Sequence, residues 1–139
     1  MKRTILGFLC GCMVVSTTAM ADSYITVPSS GARLYKWDGQ HLMKPSSGER
    51  LYKWDGQHIT IPGNGQRLYK WDGQYLLKPS SGERLYKWDG TYVTKPSSGA
   101  RLFKYDGTHL TKPSSGERLY KIDGSIPIAI LMAFVTGLL

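Results

Sequence analysis

Cysteine is almost absent from this chain of 139 residues. The two cysteines, Cys10 and Cys12, both lie in an N-terminal segment with the features of an export signal. Removal of that segment leaves no thiol, which excludes a disulfide framework and a thiolate metal site. Acidic residues are also scarce, because 10 Asp and Glu stand against 18 Lys and Arg, a formal net charge of +8. This excess favours acidic partners: anionic glycans, lipid headgroups or nucleic acid.

Residues 1–21 are predicted to be a helical signal peptide. Lys2 and Arg3 form the positive start, an apolar run extends from Ile5 to Val15, and Ala19-Met20-Ala21 is a small-residue cleavage motif. Cleavage there removes two of the 18 basic residues and no acid, so 16 remain against 10 and the net charge becomes +6. Lipidation at Cys12 is the lower-ranked alternative. We therefore expect export to the periplasm or the surface of a bacterium.

Most of the chain also lacks any long segment that is free of Gly and Pro, the residues that break helices. From Pro28 the sequence repeats every 17 residues in the frame P-S-S-G-x-R-L-Y-K-W-D-G-x-x-x-x-K, in six copies of which the last is partial. A breaker in every five or six residues disfavours helix. The predicted organisation is a signal peptide at 1–21, a short lead-in at 22–27, repeats at 28–124 and an apolar tail at 125–139.

Each repeat is predicted to form a β-hairpin. Asp-Gly between apolar runs is a strong hairpin signal, because Gly adopts positive φ freely. Asp38-Gly39 would join strands 33–37 and 40–44, and Pro-Ser-Ser-Gly would turn the chain into the next hairpin. A two-residue loop would place Trp37 opposite Gln40. It would also place Tyr35 opposite Leu42 and Arg33 opposite Lys44.

The faces of these strands follow from their alternation. Arg33, Tyr35 and Trp37 would share one face with an aliphatic residue, and we expect the Tyr/Trp/Leu face to be the main buried side. The predicted fold is an all-β tandem β-hairpin array, arranged as a solenoid or spiral. A propeller-like arrangement and a plain meander are the alternatives.

Two known repeat types resemble this pattern. Tyr105-Asp106, Leu110-Thr111, Pro113, Gly116 and Arg118-Leu119 follow the order of the YD (tyrosine-aspartate) repeat of large bacterial toxins, which implies hairpins spiralling into a shell. The period here is shorter, four copies have Trp-Asp, and six copies are expected to be too few to enclose anything. Leu-Tyr-Lys-Trp-Asp-Gly resembles the aromatic cell-wall-binding repeat of Gram-positive surface proteins, which implies aromatic cages for choline or sugar.

Catalytic chemistry is not indicated by the residue pattern. His41, His58 and His109 occupy one repeat position, and Tyr75 and Tyr92 take it in the third and fourth copies, which disfavours a metal site. An active site is usually one constellation of distinct residues, whereas this chain distributes one set over its copies. We therefore predict no enzyme activity, no cofactor and no metal.

The residues that could bind a ligand are the repeated cations and aromatics. Aromatic faces interleaved with Arg and Lys can stack on sugars. The alternative is a purely structural role, in which the same aromatics form the core. The candidate ligand-binding residues are Arg33, Tyr35, Trp37, Lys44, Arg50, Tyr52, Trp54, Arg67, Tyr69, Trp71, Arg84, Tyr86 and Trp88.

The predicted function is therefore a glycan-binding or anion-binding module of the bacterial envelope. A structural or membrane-associated envelope protein is the alternative, with the repeats as a spacer or an oligomerisation surface. No nucleic acid partner is expected. Residues 126–139 form an uncharged run of 14, too short for a full membrane span. Three interpretations of this run stay open: a cap on the last hairpin, a membrane-contacting helix, or a truncated or frame-shifted end.

Overall fold

The structure of the protein, a computed structural model, describes residues 22–139. The predicted signal peptide lies outside the described residues. The described part contains twelve strands and one helix. The strands are β1 (Ser23–Thr26), β2 (Arg33–Trp37), β3 (His41–Met43), β4 (Arg50–Trp54), β5 (His58–Thr60), β6 (Arg67–Trp71), β7 (Tyr75–Leu77), β8 (Arg84–Trp88), β9 (Tyr92–Thr94), β10 (Arg101–Tyr105), β11 (His109–Thr111) and β12 (Arg118–Asp123), and the helix is α1 (Ile128–Val135).

The twelve strands form one closed antiparallel ring. Each strand pairs with the next in sequence, and β12 pairs with β1 through Ile122 and Ile25. The lead-in at 22–27 therefore supplies the strand that closes the barrel. The predicted all-β array of hairpins is confirmed, and its strand order is that of a meander, but it closes into a single barrel, so the open solenoid and the propeller are wrong. Closure leaves no strand of the ring with an unpaired edge.

The Pro-Ser-Ser-Gly turn closes the more extensively paired hairpin of each repeat. Gly48 donates its N–H to the carbonyl of Lys44 at 3.0 Å, at a φ of 75° that favours glycine. The hydroxyl of Ser47 accepts the N–H of Glu49 at 3.3 Å. Asn64 takes the place of this serine in one copy and accepts the N–H of Gln66 at 2.9 Å, so the exceptional turn keeps the same bond.

The Asp-Gly turn is longer than a two-residue loop. Asp38 Oδ1 accepts the N–H of Gln40 at 2.8 Å and that of His41 at 2.7 Å, so Trp37 pairs with Leu42. The predicted pairs of Trp37 with Gln40 and of Tyr35 with Leu42 are wrong. They are wrong because the Asp38 carboxylate accepts hydrogen bonds from the N–H groups of Gln40 and His41, and a two-residue hairpin loop would not direct both groups toward it. The register moves by two residues, so each side chain keeps its face.

A β-bulge recurs at the same place in all six of these hairpins, five with a Pro-Ser-Ser-Gly turn and one with Pro-Gly-Asn-Gly. In the second hairpin Leu42 pairs with Tyr52 and Met43 pairs with Arg50, which leaves Leu51 without a partner. The extra residue reverses the alternation, so the arginine lies on the outer face. The prediction that Arg33 shares a face with Tyr35 and Trp37 is therefore wrong. Its pairing opposite Lys44 is also wrong, because it pairs with Thr26.

The inner face of the ring forms the core. One aliphatic side chain from each hairpin lies at its centre with 0–1% exposure: Ile25, Leu42, Ile59, Leu76, Val93 and Leu110. A tyrosine or phenylalanine from each long strand packs beside it. The prediction that the Tyr/Trp/Leu face is the main buried side is confirmed.

Helix α1 fills the barrel. Residues 129–133 are 0% exposed. Phe134 contacts Tyr35 and Tyr120 edge-on, with ring centroids 5.3 and 4.8 Å apart, and the hydroxyl of Tyr69 on the opposite wall donates to the carbonyl of Leu138 at 3.4 Å. Six hairpins are therefore enough to enclose a helix, against the expectation. Among residues 22–139, no helix combines the length and the apolar character that crossing a bilayer requires.

Candidate functional site

The inner face of the barrel ends in a ring of large side chains at the Asp-Gly turns. We call this ring the rim. Its members stand at the C-terminal ends of the long strands and are Trp37, Trp54, Trp71, Trp88, Tyr105 and Ile122. Trp37 and Ile122 are buried, at 4% and 3% exposure, whereas the other four are half-buried. The rim therefore offers aromatic surface on one side only.

The C-terminal segment accounts for this asymmetry. Ser125 donates its N–H to the hydroxyl of Ser23 at 2.9 Å, and Ser23 is the residue paired with Trp37. The chain thus passes into the barrel beside β1, and Ile126 is buried there. The rim aromatics farther from this crossing keep part of their surface open.

Trp88 and Tyr105 line a cleft at the rim. Their ring centroids are 6.5 Å apart and the ring planes are tilted by 49°. Thr91, Lys104 and Asp106 complete the lining of an open cleft of about 470 Å³, with two turn glycines beside them. The cleft is thus lined by two aromatic rings together with a threonine, a lysine and an aspartate.

The charge of the cleft is set by its turns. The backbone N–H groups of His109 and Thr108 hold the pKa of Asp106 below its ordinary value, so this carboxylate is ionised at neutral pH. Burial, together with the charge of Asp106, raises the pKa of Tyr105 above its ordinary value. The phenol therefore stays protonated, and it donates to the carbonyl of Gly107 at 3.2 Å.

This arrangement is suited to binding. Aromatic faces accept the apolar faces of sugar rings, while the polar groups around them can hydrogen-bond hydroxyls. No group of three His, Cys, Asp or Glu side chains in residues 22–139 is placed to hold a metal ion.

The comparison with protein families agrees with the sixfold ring. A family described as "6-fold beta flower protein" matches residues 26–131, about three quarters of the chain. The chain belongs to this 6-fold beta flower family. A search of curated proteins and a search of solved structures each found no match. The beta flower is a family of tandem hairpin repeats, which confirms that part of the predicted resemblance, and it is not the YD repeat.

The beta flower ring separates the predicted ligand-binding residues into four places. The tyrosines lie inside, packed against the core: Tyr35, Tyr52, Tyr69 and Tyr86. The tryptophans lie on the rim: Trp37, Trp54, Trp71 and Trp88. The arginines are exposed at the start of the long strands: Arg33, Arg50, Arg67 and Arg84. Lys44 lies at the opposite turn, where its ammonium is 3.0 Å from the carboxylate of Glu49. Of these predicted residues, only the tryptophans lie at the end of the beta flower barrel where the Trp88–Tyr105 cleft opens.

Several residues of the cleft were not in the predicted set. Tyr105 replaces the tryptophan of the repeat frame, and its position in the frame was the signal that could have identified it. Lys104 belongs by alternation to the outer face, yet it lines the cleft because it stands at the end of a strand. Thr91 and Asp106 are turn residues, which the sequence pattern assigns to chain reversal alone.

Proposed function

We propose that this beta flower protein is an exported, non-enzymatic glycan-binding module of the bacterial envelope. The observation that carries the proposal is the open cleft in which Trp88 and Tyr105 stand beside Lys104 and Asp106. Sugar rings present apolar C–H faces and polar hydroxyl edges, so a half-buried aromatic pair with polar neighbours complements them. The aromatic rings provide contact area, and the charged groups orient the sugar.

The succession of half-buried aromatics on the rim favours a polymer over a single sugar. Trp54, Trp71, Trp88 and Tyr105 follow one another around the ring. Weak sites that are linked in one rigid body gain affinity for a ligand that can reach more than one of them. An envelope polysaccharide would fit this succession.

A glycan array with residues 22–139 tests the proposal, at low ionic strength and with envelope polysaccharides included. We expect binding that falls by about tenfold in Trp88→Ala, which corresponds to roughly 1.4 kcal/mol. Lys44→Ala at the opposite end of the barrel is the control and should leave the affinity unchanged. Absence of binding to every saccharide on the array would refute the proposal.

A further inference from the structure

The outer wall of the barrel carries a second surface, formed by cations. Each hairpin places one arginine and one lysine of its long strand on this wall. We call this set the outer belt; it consists of Arg33, Lys36, Arg50, Lys53, Arg67, Lys70, Arg84, Lys87, Arg101, Lys104, Arg118 and Lys121. The belt results from the bulge, because without it the arginines would point toward the core.

Three of the six belt arginines, Arg33, Arg84 and Arg101, lie over tyrosine rings of the same wall. Arg33 Cζ is 4.1 Å from the ring centroid of Tyr24, and Arg84 Cζ is 4.3 Å from that of Tyr75. Lys87 Nζ lies 6.0 Å from the same ring of Tyr75. A guanidinium stacked in this way is oriented, and its N–H edges stay available for an oxyanion.

Few carboxylates neutralise the belt. Of its members, only Lys36 has a carboxylate within 4.0 Å in the part of the chain that the structure describes, namely Asp22 at 3.1 Å. The arginines act on the turn carboxylates only at longer range. Burial raises the pKa of Asp55, but the backbone N–H groups of His58 and Gln57 lower it further than burial raises it, and the charge of Arg67 adds a smaller lowering effect. The belt thus keeps an excess of positive charge.

One part of the belt is concave. Lys53 and Arg67 line a cleft of about 230 Å³ together with Thr60 and Asp55, so two cations stand against one carboxylate in its lining. Lysine, arginine and a hydroxyl around one depression are the donors that bind carboxylate, sulfate or phosphate groups.

We propose that the outer belt binds a linear acidic polysaccharide, with the Lys53–Arg67 cleft as one of its anion sites. Successive hairpins are two strand spacings apart, about 10 Å, so an extended chain with regularly placed acid groups can follow the wall. Single-stranded nucleic acid is a poorer fit to this wall, because arginines already lie over its tyrosines, Tyr24, Tyr75 and Tyr92, on which bases would stack. Lys104 belongs to the belt and also lines the rim cleft, but the Lys53–Arg67 cleft shares no residue with the rim cleft. The inference therefore holds whether or not the rim binds sugar.

Binding to polygalacturonate tests this inference, with uncharged dextran and a single-stranded DNA oligonucleotide as comparison ligands. The variant is Lys53→Gln/Arg67→Gln. The control, Lys44→Gln/Lys78→Gln, removes the same net charge from lysines paired with Glu49 and Glu83 at the opposite turns. We expect polygalacturonate to bind, dextran not to bind the belt, and the belt variant to lose affinity several-fold with a shallower salt dependence.

The alternative outcomes are distinct. An equal loss in the two double variants would show attraction by net charge and refute a belt site. Tighter binding of the oligonucleotide than of polygalacturonate would refute the proposal that the ligand is an acidic polysaccharide. Absence of binding to both polymers would refute the proposal that the belt is a binding surface. Trp88→Ala should retain polygalacturonate binding, which separates failure of the belt from failure of the rim. Thermal unfolding of each variant establishes that it is folded.

Discussion

Among individual residues, the four tryptophans occupy the same repeat position in different environments. Trp37 is 4% exposed beneath the crossing C-terminal segment, whereas Trp88 is half-buried. We expect Trp37→Ala to lower the free energy of unfolding by about 3–5 kcal/mol, the usual cost of emptying a buried aromatic site. Trp88→Ala should cost clearly less. Urea denaturation measures both, and equal losses would contradict the asymmetric rim.

The turn aspartates make the stability of the barrel dependent on pH. Backbone N–H groups hold the pKa of Asp89 and Asp106 below the ordinary value of 3.8. A lowered pKa in the folded state stabilises the protein fully above about 3.8, and this contribution disappears as the pH falls through the folded value. We therefore expect the free energy of unfolding to decrease in acid below that value.

Asp106→Asn provides the matched control for this pH dependence. The amide oxygen can still accept the N–H groups of Thr108 and His109, but it does not titrate in acid. The variant should keep its fold and show a shallower fall of stability with decreasing pH than the original chain. An unchanged slope in denaturation curves measured across the acid range would show that this carboxylate is not involved.

Alternation and turn chemistry predicted which residues face the core, but not the position of the arginines. The Tyr35, Trp37 and Leu42 positions follow from a period of two, which a shift of two residues preserves. The position of Arg33 depends on a bulge one residue away, and a bulge is selected by how neighbouring hairpins pack. No local pattern in Arg-Leu-Tyr marks the leucine as the unpaired residue, so the outer belt could not be predicted.

At the level of elements, helix α1 depends on the barrel around it. A helix of eight residues is too short to be stable alone in water, and this one has no acidic residue in its first turn and no side-chain cap. Its stability must come from burial of the apolar side chains at 129–133. The absence of charge in the tail is compatible with a cap on the last hairpin or a membrane contact. It does not indicate that the tail packs inside the barrel formed by the repeats.

The contribution of α1 can be measured with two substitutions in the same helix. Leu131 is 0% exposed, and Leu131→Ala should lower the free energy of unfolding by about 2–5 kcal/mol. Val135→Ala, at a half-buried position near the end of the helix, should cost less. Chemical denaturation with a single transition would show that helix and barrel unfold together. A transition that Leu131→Ala leaves unchanged would mean that the helix does not occupy the lumen in solution.

On the scale of the whole molecule, the period of 17 residues does not decide between an open and a closed array. Closure depends on the curvature that each hairpin adds, and bulges that bend and twist the strands supply this curvature. The strand that completes the ring, β1, precedes the first full repeat, and its Tyr24-Ile25-Thr26 matches the short strand Tyr92-Val93-Thr94 in residue type. The sequence therefore predicts the hairpin, whereas closure follows from a geometry summed over six of them.

Closure itself is tested by two identical substitutions. Ile25 lies in the first strand of residues 22–139 and Ile59 in a middle strand, and each is 0% exposed in the same aliphatic ring. In a closed barrel neither strand is an edge, so Ile25→Ala and Ile59→Ala should each lower the free energy of unfolding by about 2–5 kcal/mol. In an open array the terminal strand would fray, and its substitution would cost much less. Matching losses in urea denaturation therefore support the ring, and a small loss at Ile25 alone contradicts it.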